Sequence, residues 1–396
     1  MKQNILFVMP SLSAGGGEKS LVNLLTQIDY ELYDVELFLF KREGLFLNML
    51  PEEVQVLDFP KEYKIFSKGL FTSFITFMKE RQFSLAFYRI MFTVKSRLIK
   101  DNKNAEQQTW KYLNMYFNTT HKEYDVAIGF LEKTSIYYVV DRIKSTKKIG
   151  WIHTNYSNSG MNKDIDHPYY EKLDRIVTVS QECAKSISEI FPDFKDKVDV
   201  IFNIVSPKII DKLSKENMDM VMDDKFVNIV TMGRLSYEKG IDMAVNACDL
   251  LVKNGFNIKW YVLGEGDEKE NLEELIKKKK LGNNFFLLGL KENPYPYIKN
   301  ADIYVQPSRY EGKSIAIDEA KILKKPIVVT NYNSAKDQIA NRVTGIIEEL
   351  NATSVAEGIQ LLIENEEIRK RLINNLHAEQ LGTEGEIEKL YDLIRR

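Results

Sequence analysis

Cysteine is nearly absent. Cys183 and Cys248 are the only two in 396 residues and lie far apart in sequence, so no disulfide framework and no zinc spacing is present. Histidine is scarce as well, at four: His121, His153, His167 and His377. No sign of charge dominates. With 55 Lys and Arg against 57 Asp and Glu, the formal net charge is −2, which argues against a dedicated nucleic-acid binder. No apolar run approaches the roughly 18 residues that span a bilayer. The opening stretch from Met1 to Pro10 is too short, and too soon broken by Pro10, to read as a signal peptide. These absences lead to the expectation of a cytoplasmic protein, with a membrane surface the outermost place left open to it.

What is present is a globular composition, 44% hydrophobic and 28% charged, in a chain too long for one ordinary core. Two domains of about 200 residues are expected. Asn4–Met9 reads as a buried strand, Pro10–Gly17 as a glycine-rich turn and Glu18–Leu25 as the start of a helix. Strand, Gly15-Gly16-Gly17 and helix together open a nucleotide-binding-like α/β domain, although neither G-x-G-x-x-G nor a Walker lysine loop is met. Further strands are expected at Tyr33–Phe40, Val54–Leu57, Tyr124–Phe130, Lys147–His153 and Asp174–Ser180. His153 then falls at a strand's C-terminal edge, where α/β proteins bind ligands; the alternative is a structural histidine. Asp164-Ile165-Asp166 has the form of a D-x-D metal site but does not directly follow an apolar strand, and it is not read as one.

Residues 61–120 differ from their surroundings. Lys64, Lys68, Lys79, Arg81, Arg89, Lys95, Arg97 and Lys100 alternate with Phe66, Phe71, Phe74, Phe77, Phe83, Phe87, Tyr88 and Phe92 at helix-compatible spacing. Two readings stand: aromatic core with a solvated lysine face, or a basic amphipathic surface for anionic headgroups. Ser206–Asp224, rich in Lys, Asp and Met, reads as a connecting segment.

The second half repeats the strand–helix alternation, which gives two doubly wound α/β domains. Phe226–Met232 is a strand followed by Gly233-Arg234-Leu235-Ser236-Tyr237-Glu238-Lys239-Gly240, a tight turn that carries two cations before the helix from Ile241. Two fixed cations can clamp a diphosphate and stabilise the charge that grows on it as a leaving group. After the strand Ala301–Val305 comes Gln306-Pro307-Ser308-Arg309-Tyr310-Glu311-Gly312-Lys313-Ser314, then a helix from Ile315. Amides left open around Gly312 to Ser314 at a helix N-terminus suit an anion. Glu311 in the turn and Glu319 about one and a half turns into the helix can both reach a ligand bound there; the bland alternative is two solvated glutamates.

These elements resemble the E-x7-E and G-R-x-x-x-x-K-G motifs of retaining glycosyltransferases with the GT-B fold, the large glycosyltransferase family 4. The resemblance covers nearly the whole chain and is weakest over residues 61–120. It implies two Rossmann-like domains facing across a cleft: an acceptor-binding domain at 1–205, a nucleotide-sugar-binding domain at 206–380, and a final helix at 381–396 returning to the first. It implies a sugar moved from a nucleotide diphosphate donor, a UDP-sugar on family frequency, to an acceptor hydroxyl on a bacterial surface glycan, a lipid-linked acceptor or a protein, without a metal or other cofactor. In the resemblance, Arg234 and Lys239 neutralise the diphosphate, Glu311 and His153 hold sugar hydroxyls, and Glu319 holds the ribose. Gly16 and Gly17 approach the donor phosphate or the acceptor, and the backbone near Leu288-Gly289 takes the base. Gly233, Tyr310, Gly312, Lys313, Ser314 and Ile315 complete the donor contacts, with Lys313-Ser314 standing where the family more often has an aromatic residue and a glycine. A sugar-nucleotide epimerase and a non-catalytic partner subunit share the fold. The scarcity of histidine argues against the first, and the intact Arg234, Lys239, Glu311 and Glu319 against the second.

Overall fold

A computed structural model describes residues 2–395 other than 14, 100, 101 and 121, and of 102 and 103 the backbone only. Lys100, in the basic series above, lies outside the described residues. The chain divides into two compact units, one of Met1–Ser13, Gly17–Phe202 and Glu386–Arg396, the other of Ala14–Gly16 and Asn203–Gly385.

The first unit is built on strands β1 (Gln3–Met9), β2 (Tyr33–Leu39), β3 (Gln55–Val56), β4 (Glu123–Gly129), β5 (Lys144–Ile152), β6 (Arg175–Thr178) and β7 (Val198–Val200). They form one parallel sheet in the order β3-β2-β1-β4-β5-β6-β7. Ile5 to Met9 are all fully buried, odd and even residues alike, so both faces of β1 are covered. That is why the strand reads as a continuous apolar run instead of an alternating one. The helices that follow are α1 (Gly16–Leu25), α2 (Lys61–Phe66), α3 (Leu70–Lys79), α4 (Phe83–Leu98), α5 (Asn102–Leu113), α6 (Thr134–Arg142), α7 (Tyr156–Ser159), α8 (Lys163–Tyr170) and α9 (Gln181–Ile190).

Helices α2 to α5 sort the aromatics that the sequence presents as one series. Phe66 packs on Phe92 at 5.0 Å and on Tyr116 at 4.5 Å, and Phe77 on Tyr116 at 5.5 Å. Phe71, Phe83 and Phe87 point the other way and are exposed. Asp166 is a buried hydrogen-bond hub: it accepts from the Tyr137 hydroxyl, from the Tyr156 hydroxyl at 2.5 Å and from Gln107 Nε2 at 2.9 Å. Its carboxylate therefore ties α5, α6 and α8 together. The last helix, Ile387–Arg395, belongs to this unit. Its Tyr391 ring stacks on Tyr33 at 5.0 Å and its hydroxyl accepts the Asp29 N–H at 2.8 Å. Lys147 Nζ donates to the carbonyls of Leu393 and Ile394 at 2.8 and 3.1 Å, which satisfies acceptors that a helix end leaves open.

The second unit carries β8 (Val227–Met232), β9 (Ile258–Leu263), β10 (Phe285–Leu287), β11 (Ile303–Gln306), β12 (Ile327–Thr330) and β13 (Ile346–Glu348), parallel throughout, in the order β10-β9-β8-β11-β12-β13. Its helices are α10 (Pro207–Leu213), α11 (Ile241–Lys253), α12 (Lys269–Lys278), α13 (Tyr295–Asn300), α14 (Ile315–Ile322), α15 (Ala335–Gln338), α16 (Ala352–Glu364) and α17 (Glu366–Ala378). The expected connector Ser206–Asp224 is corrected by this arrangement. It contains α10, whose Ile210 packs with Tyr295, Ile315 and Ile322, while Met218, Met220 and Met222 pack on the core beside Tyr297 and Tyr304. Its Lys and Asp content obscured an apolar stripe that the unit buries.

In each sheet the order of strands reverses once, between β1 and β4 in the first unit and between β8 and β11 in the second. Loops leaving the C-terminal ends of those strands flank the crevice where doubly wound sheets bind ligands. Replacing Tyr391 by Ala removes a stacked ring and strands the Asp29 N–H, with an expected loss of about 3–5 kcal/mol in urea denaturation. A loss under about 1 kcal/mol would show that the last helix lies outside the unit's cooperative core.

Candidate functional site

In the second unit the two loops at the reversal point are fastened to each other. Residues 233–240 follow β8 and residues 307–314 follow β11. Arg309 makes the largest number of ties between them. Its N–H donates to Glu238 O at 2.8 Å, its guanidinium grips both Asp242 oxygens at 2.8 and 2.7 Å, and it stacks 4.0 Å from the Tyr237 ring. Such a planar, two-pronged pairing is one that Arg makes and Lys does not. Tyr310 adds a hydroxyl bond to Glu238 Oε1 at 2.7 Å. Gly240 permits the close approach: at φ +64° its position leaves a Cβ only 2.0 Å from Pro307 O. Gly264 does the same on the other side, since a Cβ there would lie 1.9 Å from Gly233 O.

Lys239 and Glu311 meet within this frame. Lys239 Nζ lies 2.6 Å from Glu311 Oε1 and 2.7 Å from Oε2. Ser308 Oγ at 2.7 Å and Gln306 Nε2 at 3.2 Å also donate to Oε1. Gly233 sits under the Lys239 stem, where a Cβ would be 3.5 Å from Cδ. The pair is sheltered, with side-chain exposures of 26% and 9%. The sequence presents Lys239 as one of two cations waiting for a phosphate; the structure instead gives it a carboxylate partner. Arg234 is exposed and makes no ion pair among the described residues.

The amides around Gly312 to Ser314 need a correction. The Ser314 N–H is not open: it donates to Gln338 Oε1 at 2.9 Å, and Gln338 Nε2 donates back to Ser314 O at 2.7 Å. A buried amide needs a partner, and α15 supplies one from 24 residues away. Lys313 lies 3.5 Å from Asp318, so its charge too is answered inside the loop. Glu319 is fully buried in α14, just behind Ile315, and accepts the Tyr295 hydroxyl at 2.9 Å. At the Leu288-Gly289 turn, the Leu288 N–H bonds to Val262 O and the Gly289 carbonyl accepts from the Gly264 N–H, both at 2.9 Å.

In the first unit, Gly17 and His153 are neighbours: a Cβ on Gly17 would stand 3.7 Å from the His153 Cγ. Gly16, the first residue of α1, is exposed. His153 follows β5 directly and packs against Phe130 with ring centroids 4.9 Å apart. Its N–H donates to Glu132 Oε2 at 3.1 Å. Burial holds the imidazole at about 3, well below its ordinary range, and pushes the Glu132 carboxyl up. Glu132 was visible in the sequence only as part of a polar turn. Neither it nor Gln306, Ser308, Arg309 or Gln338 stands at a spacing that marks a site, because their partners lie on other strands and helices.

Residues 218–378 match the family model described as Glycosyl transferases group 1. The second unit carries a group 1 glycosyltransferase domain. That domain holds all four motif residues, Arg234, Lys239, Glu311 and Glu319. An uncharacterized glycosyltransferase of Methanocaldococcus jannaschii is 30% identical over 206 residues, 49% of this chain and 50% of that protein. A poly(ribitol-phosphate) alpha-N-acetylglucosaminyltransferase of Staphylococcus aureus is 27% identical over 261 residues, 63% and 51% of the two chains. The chain thus spans about half the length of these curated relatives. A crystal structure of Anabaena HepE in complex with UDP superposes with a TM-score of 0.66 at 16% identity, covering 100% of both chains. One of S. aureus TarM gives 0.68 at 16%, covering 100% of this chain and 99% of that one. At such identities the likeness is one of fold, and the fold is GT-B.

Two outcomes are expected of the site. Lys239→Met leaves the Glu311 carboxylate sheltered without a cation and costs about 2–3 kcal/mol, less than a fully buried pair because Lys239 is partly exposed. Lys239→Met with Glu311→Gln restores most of that loss; strictly additive losses in the double-mutant cycle would show the pair to be uncoupled. His153 is expected to stay neutral from pH 8 to pH 5 in ring NMR. Its folded value lies below the roughly 6.5 of a free imidazole, so its stabilising contribution is complete above about pH 6.5 and is lost as pH falls toward 3. A titration midpoint near 6.5 would place the ring in solvent.

Proposed function

We propose that the protein is a retaining, metal-independent glycosyltransferase that moves a sugar from a UDP-sugar to a hydroxyl of a bacterial surface glycan, either a wall polymer or a lipid-linked acceptor. The observation that carries this reading is the Lys239–Glu311 pair, fixed at the strand-reversal point of a group 1 domain with exposed Arg234 beside it. Such a pair can serve two charges in sequence. Arg234 meets the donor diphosphate, and Lys239, its stem resting on Gly233, shares its ammonium between Glu311 and the phosphate as negative charge builds on the leaving group. Glu311 keeps lone pairs for a sugar hydroxyl. Glu319 receives the ribose, and the backbone at Leu288-Gly289 the base. Gly312, Lys313 and Ile315 border the diphosphate, and Tyr310 and Ser314 hold the loop that presents it. In the first unit, His153 offers a neutral ring nitrogen to a sugar hydroxyl, with Gly16 and Gly17 leaving room beside it.

The bond from the sugar's anomeric carbon to the diphosphate oxygen breaks, and the acceptor oxygen bonds to that carbon on the same face. The acceptor's proton passes to the departing phosphate oxygen, so no protein nucleophile is needed. The names of the relatives support the acceptor class: one acts on poly(ribitol-phosphate) and another is a capsular polysaccharide biosynthesis glycosyltransferase. HepE and TarM, the structural neighbours crystallised with UDP, support the donor.

Calorimetry and nucleotide release across UDP-, GDP- and ADP-sugars test the reading. One UDP-sugar is expected to bind and slowly release nucleotide, unaffected by a metal chelator. Glu319→Ala is expected to weaken binding by at least about tenfold, the loss of a hydrogen bond to a charged group. No binding by any donor would remove the transferase reading; an inverted anomer in the product would remove retention.

A further inference from the structure

Helix α4 has two apolar faces, and only one of them is used by the fold. Ala86 is buried, and Leu85, Tyr88 and Phe92 pack on the aromatic core. Arg89, counted among the basic residues of the segment, turns inward and lies 4.7 Å over the Phe66 ring. On the opposite face stand Phe83, Phe87, Ile90, Val94 and Leu98, all exposed, with Phe83 at 59%, Phe87 at 58% and Leu98 at 71%. Steps of four, three, four and four residues keep these five on one stripe along about 24 Å of helix. Phe71 on the neighbouring α3 is exposed at 78%. A contiguous stripe of this size is an interaction surface, unlike the isolated exposed apolar residues that every protein carries.

Charge selects what covers it. Neither α3 nor α4 contains an Asp or Glu. Residues 61–99 hold eight Lys or Arg against Glu62 and Glu80, in a chain whose net charge is −2. Glu80 is already paired with Lys61 at 2.9 Å. On a helical wheel of about 100° per residue, Arg97 flanks one side of the stripe and Lys95 the other. Arg81 stands exposed in the turn just before α4. A second copy of this chain would bring the same cations together with no acidic side chain on these helices to answer them. An aromatic and aliphatic ridge edged with cations has instead the composition of a helix that lies in the plane of an anionic bilayer surface.

We propose that the exposed face of α4, with Phe71, docks the protein on a membrane rich in anionic lipid. This deepens the proposed transfer by setting its acceptor at a lipid surface, and it stands on residues none of which is assigned to donor or sugar. Flotation of the full chain with vesicles of phosphatidylcholine, alone or mixed with phosphatidylglycerol, tests it. The wild type is expected to float with the mixed vesicles, less so as salt is raised, and not with phosphatidylcholine alone. Phe83→Asp with Phe87→Asp is expected to weaken flotation by about tenfold or more, and Lys95→Gln with Arg97→Gln by a smaller factor. Nucleotide-sugar binding and the unfolding transition of both variants should match the wild type, because the changed side chains are on the surface. Wild-type protein that floats with neither vesicle overturns the proposal, as does a Phe83→Asp/Phe87→Asp variant that floats like the wild type. A wild-type dimer made monomeric by that variant, without flotation, would assign the face to self-association and overturn it too. Flotation without binding of any donor would leave the docking surface standing and remove the transferase reading alone.

Discussion

Two loops that leave adjacent strands, 72 residues apart in sequence, are locked together by Arg309, Tyr310 and Glu238, and everything proposed for the second unit depends on that lock. Parallel strands place all their exits at one edge, so β8 and β11 deliver their loops side by side. Proximity alone would leave Lys239 and Glu311 as two mobile charges in water. The bidentate grip of Arg309 on Asp242, the Tyr237 stacking and the close contact allowed by Gly240 remove that freedom before any ligand arrives. The entropy of ordering the pair is thereby met in folding and not in binding.

The two units manage buried polar groups in different ways. In the second, the buried carboxylates and amides of the site loops are answered locally, Glu311 by Lys239, Ser308 and Gln306, and Ser314 by Gln338. In the first, burial itself sets the chemistry. His153 is held neutral because nothing nearby compensates a charged ring, and Asp166 is surrounded by hydroxyl and amide donors that tie three helices. One unit is organised to meet charge and the other to keep an imidazole uncharged, a division of labour that suits handling a diphosphate in the former and sugar hydroxyls in the latter.

The strands could be read from the sequence because a parallel sheet covered on both faces has to be written as continuous apolar runs, as in Ile5 to Met9 and Ile303 to Val305. The loops after β8 and β11 stood out for a related reason: glycines, cations and carboxylates gathered where an apolar run stops. Other features resisted. The segment from Ser206 to Asp224 looked like a linker because lysines and aspartates surround the few apolar residues that α10 buries. Gln338 and Tyr295 gave no signal, since a glutamine or a tyrosine becomes part of a site only through what it touches.

Sequence by itself determined the strand–helix alternation, the place of the two reversal-point loops and the identity of the charges on them, all of which are local properties of side-chain type and order. Tertiary structure decided which charges are partnered. It closed Lys239 on Glu311, took the Ser314 amide out of reach and turned Arg89 inward while leaving Phe83 and Phe87 outside. The physical reason is the same in each case. Spacing along a helix or strand fixes which residues share a face, but whether that face meets solvent, a core or a counter-charge depends on segments tens of residues away, and only packing brings those together.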